Sequence, residues 1–193
     1  EAHFGETEWV FHDPYAFTSS LTEDDLYYLG EGSMNRIWDV LGATPMSHED
    51  VDGVRFSVWA PNAERVAVVG DFNVWDSRRH GMRRLGQSGV WEIFVPNLPV
   101  GEVYKYAIRG VDGQDLPLKA DPIGFGSEHP PKTGSVGREI KTHEWADSAW
   151  MSTRAKVQNI DAAISIYEVN LASWKRADDN RPLSYVELAD QLV

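Results

Sequence analysis

Between Asp52 and Arg109 apolar residues recur with a period of two, and turn residues cut the stretch into short lengths. Val54, Phe56 and Val58 alternate with Arg55, Ser57 and Trp59, the pattern of a half-buried strand. Arg65 to Gly70, Val90 to Val95 and Val103 to Arg109 read the same way. In the last of these Tyr104 and Tyr106 fall on one face, with Val103, Lys105 and Ala107 on the other. Pro61-Asn62, Asn73 to Ser77, Pro96-Asn97 and Asp112-Gly113 supply the turns. This spacing predicts a mainly β chain built on an antiparallel, immunoglobulin-like β-sandwich over residues 48–140.

The flanks differ. Residues 1–47 form an acidic, aromatic leader, expected to pack on the sandwich through Trp9, Phe11, Tyr15, Phe17 and Trp38. Thr22 to Gly30 predicts a short helix, with Thr22 as cap, acids in the first turn and Gly30 at the end. Asn35 to Leu41 predicts a second short turn. Residues 141–160 read as a polar, partly helical linker. In residues 161–193 an apolar strand, Ala162 to Leu171, leads into a helix in which Ser184 and Glu187 have capping-box spacing. A strand followed by a helix starts a parallel α/β unit that needs further strands. The chain is therefore expected to be the front part of a larger protein: an accessory module plus the first piece of another domain.

Composition narrows the partners. The net charge is −12, against the clustered Lys and Arg that nucleic acid or an anionic membrane surface would need. No long uncharged apolar run predicts a membrane span. With no Cys there is neither a disulfide framework nor a thiolate metal site, which fits a reducing cytoplasm. The six His show no metal-ligand spacing. Gly124-Phe125-Gly126 runs into Pro130-Pro131, so no phosphate loop opens a helix there. No cofactor or metal is expected.

Trp59-Ala60-Pro61-Asn62-Ala63, then Val68-Val69-Gly70-Asp71-Phe72-Asn73-Val74-Trp75, resembles the glycogen- and starch-binding sandwich of the alpha-amylase superfamily. Tyr104-Lys105-Tyr106 and Lys119-Ala120-Asp121-Pro122 follow in the right order. Asp13-Pro14-Tyr15-x-Phe17, Leu41-Gly42-Ala43 and Ile164 to Arg176 narrow the resemblance to 1,4-alpha-glucan (glycogen) branching enzymes. That resemblance implies that residues 161–193 hold the first strand and helix of a truncated (β/α)8 barrel. It implies an activity for the whole protein, in which α-1,4-glucan is cleaved with retention and the chain passed to a 6-hydroxyl, in glycogen biosynthesis. It also implies α-1,4-glucan and the rest of the barrel as partners. At Thr44 and Asn170 the family usually has His, and at Ala172 usually Gly; the last two face the active-site end of a barrel strand.

Retention needs two carboxylates across the scissile bond, which the family draws from later barrel strands. No catalytic residue is assigned here: Glu23 to Asp25 read as a helix start, Asp178 and Asp179 as a solvated loop, and Glu168 as structural. By the same resemblance Trp75, Lys105 and Asn73 are the candidate glucan contacts. A flat indole can cover the apolar face of a pyranose while polar side chains bond its hydroxyls. Trp75 is equally read as packing against the leader or the catalytic domain, and Lys105 as a plain strand residue. A second aromatic plate is missing, since the loop after Lys105 reads Asp112-Gly113-Gln114-Asp115. The rival readings are a glucan-binding module without catalysis and a debranching or trehalose-forming relative.

Overall fold

The structure, a computed structural model, describes residues 2–4, 7–9, 11–140 and 144–192, the side chains from residue 11 onward. It divides into two compact units, residues 1–141 and 142–193.

In the first unit two short strands, β1 (Ala2–Phe4) and β2 (Thr7–Trp9), pair as a hairpin. Helix α1 (Glu23–Glu31) follows, and then seven strands: β3 (Gly42–His48), β4 (Val51–Trp59), β5 (Ala63–Gly70), β6 (Arg83–Arg84), β7 (Val90–Pro96), β8 (Val103–Gly110) and β9 (Ser135–Val136). They form two antiparallel sheets, in the orders β3-β4-β7-β6 and β5-β8-β9. Between the sheets lie Phe56, Val58, Val68, Ile93, Tyr104 and Tyr106, all nearly or fully buried. Trp91 lies in this core, its indole N–H donating to the Ala60 carbonyl at 3.0 Å.

The alternation in β4 does not end at water. All six residues from Gly53 to Val58 are buried, because the leader covers the outer face of the four-stranded sheet. Arg55 on that face donates to the Asp39 carbonyl and to Thr44 Oγ1, and Ser57 donates to the Val40 carbonyl. Glu92, paired opposite Ser57, accepts from both the N–H and the hydroxyl of Ser20 at 2.8 Å. Phe17 packs edge-on to Phe94, ring centroids 4.9 Å apart. Phe11 and Tyr15 stay exposed, although the Tyr15 hydroxyl accepts the Gly81 N–H at 2.8 Å. The side chain of Trp9 lies outside the described ones.

Two boundaries move. The stretch Gly42 to Ser47, assigned to the leader, is strand β3, paired along β4. Pro45 and polar residues broke its period of two, so only the neighbouring strand made it legible. Helix α1 runs through Gly30 and stops at Gly32, which takes φ +81° and donates to the Leu29 carbonyl. Gly30 has helical neighbours on both sides and open space where a side chain would stand, so nothing ends the helix there. At the other end Thr22 caps the helix as expected, and Asp25 accepts the Thr22 N–H in return to complete a capping box.

In the second unit helices α2 (Ser148–Val157), α3 (Leu171–Trp174) and α4 (Tyr185–Leu192) are linked by irregular segments. The apolar stretch expected as a strand over Ala162 to Leu171 pairs with no strand among the described residues. Backbone N–H and C=O groups need a ladder to make a strand, and no neighbour offers one here. Ile164, Ile166 and Tyr167 are accordingly exposed. Asn170 caps α3 by accepting the Ala172 N–H, and Ser184 and Glu187 form the expected capping box on α4.

Candidate functional site

Strand β5 ends at Gly70, where the chain turns back sharply through Asp71-Phe72-Asn73 and then Val74-Trp75. Val74 and Trp75 both take φ +58°, the left-handed region that L side chains avoid and a β-branched residue avoids most. The turn is held open by bonds on both sides. The Val74 N–H donates to the Asp71 carbonyl and the Trp75 N–H to the Gly70 carbonyl. Asp76 then accepts from the N–H and guanidinium of Arg78, which holds its carboxyl well below the usual range. At Gly70 a Cβ would stand 2.4 Å from the Val103 carbonyl oxygen and 2.5 Å from the Phe72 ring, so only glycine fits.

The product of that strain is an exposed indole. Trp75 keeps 37% of its surface in water, and its Nε1–H donates to Asp71 Oδ1 at 2.7 Å, which fixes the ring plane. Beside it runs a groove of about 140 Å³, lined by Trp75 with Arg65, Ser77, Arg109, Leu116 and Leu118. Leu116 and Leu118 lie just after the Asp112-Gly113-Gln114-Asp115 stretch that lacks a second aromatic; they are half exposed and offer an apolar wall without a flat plate. Lys105 sits on β8 opposite Val69, its Nζ donating to Thr133 Oγ1 at 2.6 Å. It is accessible but is not among the groove-lining side chains.

Asn73 does not belong with them. It is completely buried, and its amide is spent inside the turn. Oδ1 accepts the Gly70 N–H at 3.0 Å, while Nδ2 donates to the Val68 carbonyl and to His80 Nδ1, each at 2.9 Å. The short polar side chain that bonds its own backbone neighbours is a turn device. Asn73 therefore bolts the turn that presents Trp75, and its buried, internally bonded amide offers no exposed group for the glucan contact expected of it.

That network also fixes the state of His80. Since Nδ1 accepts from Asn73, the ring proton sits on Nε2. Burial, and then the nearby Arg79 charge, push the His80 pKa below its ordinary value. A depressed folded value means the neutral ring is the stabilising form. Its contribution is complete above about pH 6.5 and is lost as pH falls through the lower folded value. Thermal melts of the wild type are expected to drop across that acidic window, and those of His80→Gln, which does not titrate there, to drop less. Parallel pH profiles for the two would show that His80 is not linked to folding.

A second buried constellation supports the other sheet end. Asp121 Oδ2 accepts the hydroxyls of Tyr104 at 2.6 Å and Tyr106 at 3.1 Å, while Oδ1 accepts the Ile123 N–H at 2.8 Å. Burial, followed by the adjacent carboxylate, drives both phenol pKa values far upward. Both hydroxyls therefore stay protonated donors. Asp121-Pro122 was visible as a motif, but nothing in the sequence pairs it with two tyrosines fifteen and more residues away.

The family model of carbohydrate-binding module 48 (isoamylase N-terminal domain) matches residues 40–124, which include both sheets' main strands and the Trp75 turn. The 1,4-alpha-glucan branching enzyme GlgB of Roseobacter denitrificans is 60% identical over 191 residues, 98% of this chain and 26% of that enzyme. GlgB of Pseudomonas aeruginosa is 53% identical over 181 residues, 94% of this chain and 24% of that enzyme. Among solved structures, ligand-free PulA from Klebsiella pneumoniae is 26% identical with a TM-score of 0.41, covering 51% of this chain and 9% of that one. The chain spans about a quarter of the length of the curated relatives it matches. The resemblance drawn from the motifs thus holds along nearly the whole chain: residues 40–124 match the carbohydrate-binding module 48 model, within a sequence similar throughout to the front part of 1,4-alpha-glucan branching enzymes.

Proposed function

We propose that this chain is the glucan-engaging front portion of a 1,4-alpha-glucan branching enzyme, with Trp75 as the sugar plate and Lys105, on the same sheet but outside the groove, as a further polar contact to a longer glucan. The observation that carries the reading is the exposed Trp75 indole, locked by Asp71 on a strained turn over a groove. An immobilised aromatic plate binds without first losing rotamer freedom, which suits a weak ligand such as a single glucan chain. Arg65, Ser77 and Arg109 along the groove offer donors for ring hydroxyls. The whole protein would cleave α-1,4-glucan with retention and pass the chain to a 6-hydroxyl, through carboxylates outside this chain. The module would hold the substrate close to that chemistry. Residues 161–193 would then be the first strand and helix of the barrel, the leader and sandwich lying before them and residues 141–160 linking the two. The exposed Ile164, Ile166 and Tyr167 support this, as apolar side chains that neighbouring barrel strands would cover. The absence of Cys supports a cytoplasmic setting for such an enzyme.

Titration with maltoheptaose tests the site. The wild-type chain is expected to bind saturably, and Trp75→Ala, folded by circular dichroism, to lose about tenfold or more in affinity at that groove, the scale of removing one aromatic anchor. Equal affinity in the two proteins would sink the Trp75 reading. A module without catalysis remains the rival; coding sequence continuing past Val193 with barrel motifs decides against it.

A further inference from the structure

The outer edge of the four-stranded sheet carries a second cleft, of about 370 Å³, lined by Trp38, Thr44, Phe125, Arg138 and Glu139. It is remote from the Trp75 turn in the topology, since Trp75 follows β5 of the other sheet. Trp38 and Phe125 are each 43% exposed, two large rings that line the same cleft. Both stand on fixed supports. The turn Ile37–Asp39 that carries Trp38 is tied to the sheet by Arg55, which reaches the Asp39 carbonyl at 2.8 Å and Thr44 Oγ1 at 2.9 Å. Phe125 sits between Gly124, whose N–H donates to the Asp121 carbonyl, and Gly126, whose carbonyl accepts the Val136 N–H at 2.8 Å. A Cβ on Gly126 would stand 2.8 Å from Arg138 Cγ, so the arginine stem lies across the bare glycine.

Thr44 of the cleft is engaged by Arg55, and the lining Asp39 carboxylate pairs with Arg36, but three other polar groups are uncommitted. Among the described residues, no partner bonds the Trp38 indole N–H, the Arg138 guanidinium or the Glu139 carboxylate. A purely apolar occupant would leave that guanidinium and carboxylate desolvated and unpaired, at high cost. A simple anion would meet Glu139. A pyranose fits both halves of the lining: its C–H face covers a ring, and its hydroxyls accept from the guanidinium and indole and donate to the carboxylate. We propose that this cleft is a second α-glucan subsite, so that the module grips glucan on two faces. The proposal rests on the glucan reading of the module but not on the groove at Trp75.

The test is a 1H–15N NMR titration of the 193-residue chain with maltoheptaose, reading the tryptophan indole N–H signals, alongside Trp38→Ala, Trp75→Ala and Arg138→Ala. Two signals are expected to move in the wild type, with separate midpoints. Trp75→Ala should leave the Trp38 signal titrating. Arg138→Ala, an exposed change that spares the fold, should weaken the Trp38 curve several-fold and leave the Trp75 curve in place. A Trp38 signal that stays still while that of Trp75 moves overturns the second subsite and leaves the Trp75 reading standing. The reverse outcome overturns the Trp75 reading and keeps the cleft. If neither moves, both fail. Cellohexaose, a β-linked glucan, is expected to move neither; an equal response of Trp38 to it overturns the assignment to α-glucan.

Discussion

Asp121→Ala is expected to destabilise the first unit by about 3–5 kcal/mol, lowering its melting temperature by roughly 10–20 °C. The reason is what the carboxylate leaves behind. Tyr104 is 1% exposed and Tyr106 fully buried, and both hydroxyls point at Asp121 Oδ2. Without it the Tyr104 hydroxyl has no acceptor, and the Tyr106 hydroxyl keeps only the long contact to the Ser57 carbonyl at 3.4 Å. The Ile123 N–H is orphaned as well. Each buried unsatisfied group costs about 1–3 kcal/mol, whereas the bond it made is worth less. Tyr104→Phe combined with Asp121→Ala removes donor and acceptor together and is expected to recover part of the loss. Chemical denaturation of the single and double variants measures this; strictly additive losses would mean that Tyr104 and Asp121 do not act as a pair.

Asn73→Ala is expected to cost about 2–4 kcal/mol and to abolish the glucan response of Trp75 together with it. Three groups lose their partner at once: the Gly70 N–H, the Val68 carbonyl and His80 Nδ1. They lie where the chain enters two consecutive left-handed residues, a conformation that persists only while its surroundings over-determine it. Once released, Val74 and Trp75 relax toward ordinary backbone and the indole leaves its place on Asp71. Asn73→Asp separates the two effects. It still accepts from Gly70, but its second oxygen faces the Val68 carbonyl and a neutral His80. Protonating His80 relieves that clash, so this variant is expected to gain stability relative to wild type as pH falls, opposite in sign to the wild-type trend. Denaturant midpoints at pH 5 and pH 8 read the difference. An Asn73→Ala protein with unchanged midpoint and an intact Trp75 titration would show that the turn holds without its bolt.

Most of the sandwich was legible because period two and turn chemistry are local. β4, β5, β7 and β8 fall where the alternation of Val54-Phe56-Val58 and its successors put them, β7 and β8 longer by a single residue and β4 and β5 by slightly more. β3 was missed, since Pro45 and Ser47 hide its pairing and only β4 holds it as a strand. Trp75 was found as a candidate from its motif, and the structure leaves it exposed beside a groove. Asn73 came from the same motif but serves the turn, a role that needed the positions of Val68 and His80 to be known.

By itself the sequence determined that β4, β5, β7 and β8 are strands, where helices α1 and α4 begin, and that an aromatic-bearing turn follows β5. These depend on neighbours a few residues apart, so pattern and propensity suffice. Only the tertiary structure decided which face of β4 is dry, which polar side chains are buried, and which aromatic rings remain in water. Arg55, Ser57 and Glu92 look like solvent-facing residues until the leader folds over them. Trp91 and Trp75 have the same side chain, yet one fills the core and the other stands exposed. Burial is a property of what comes to lie on a residue from far along the chain, and no local period encodes that.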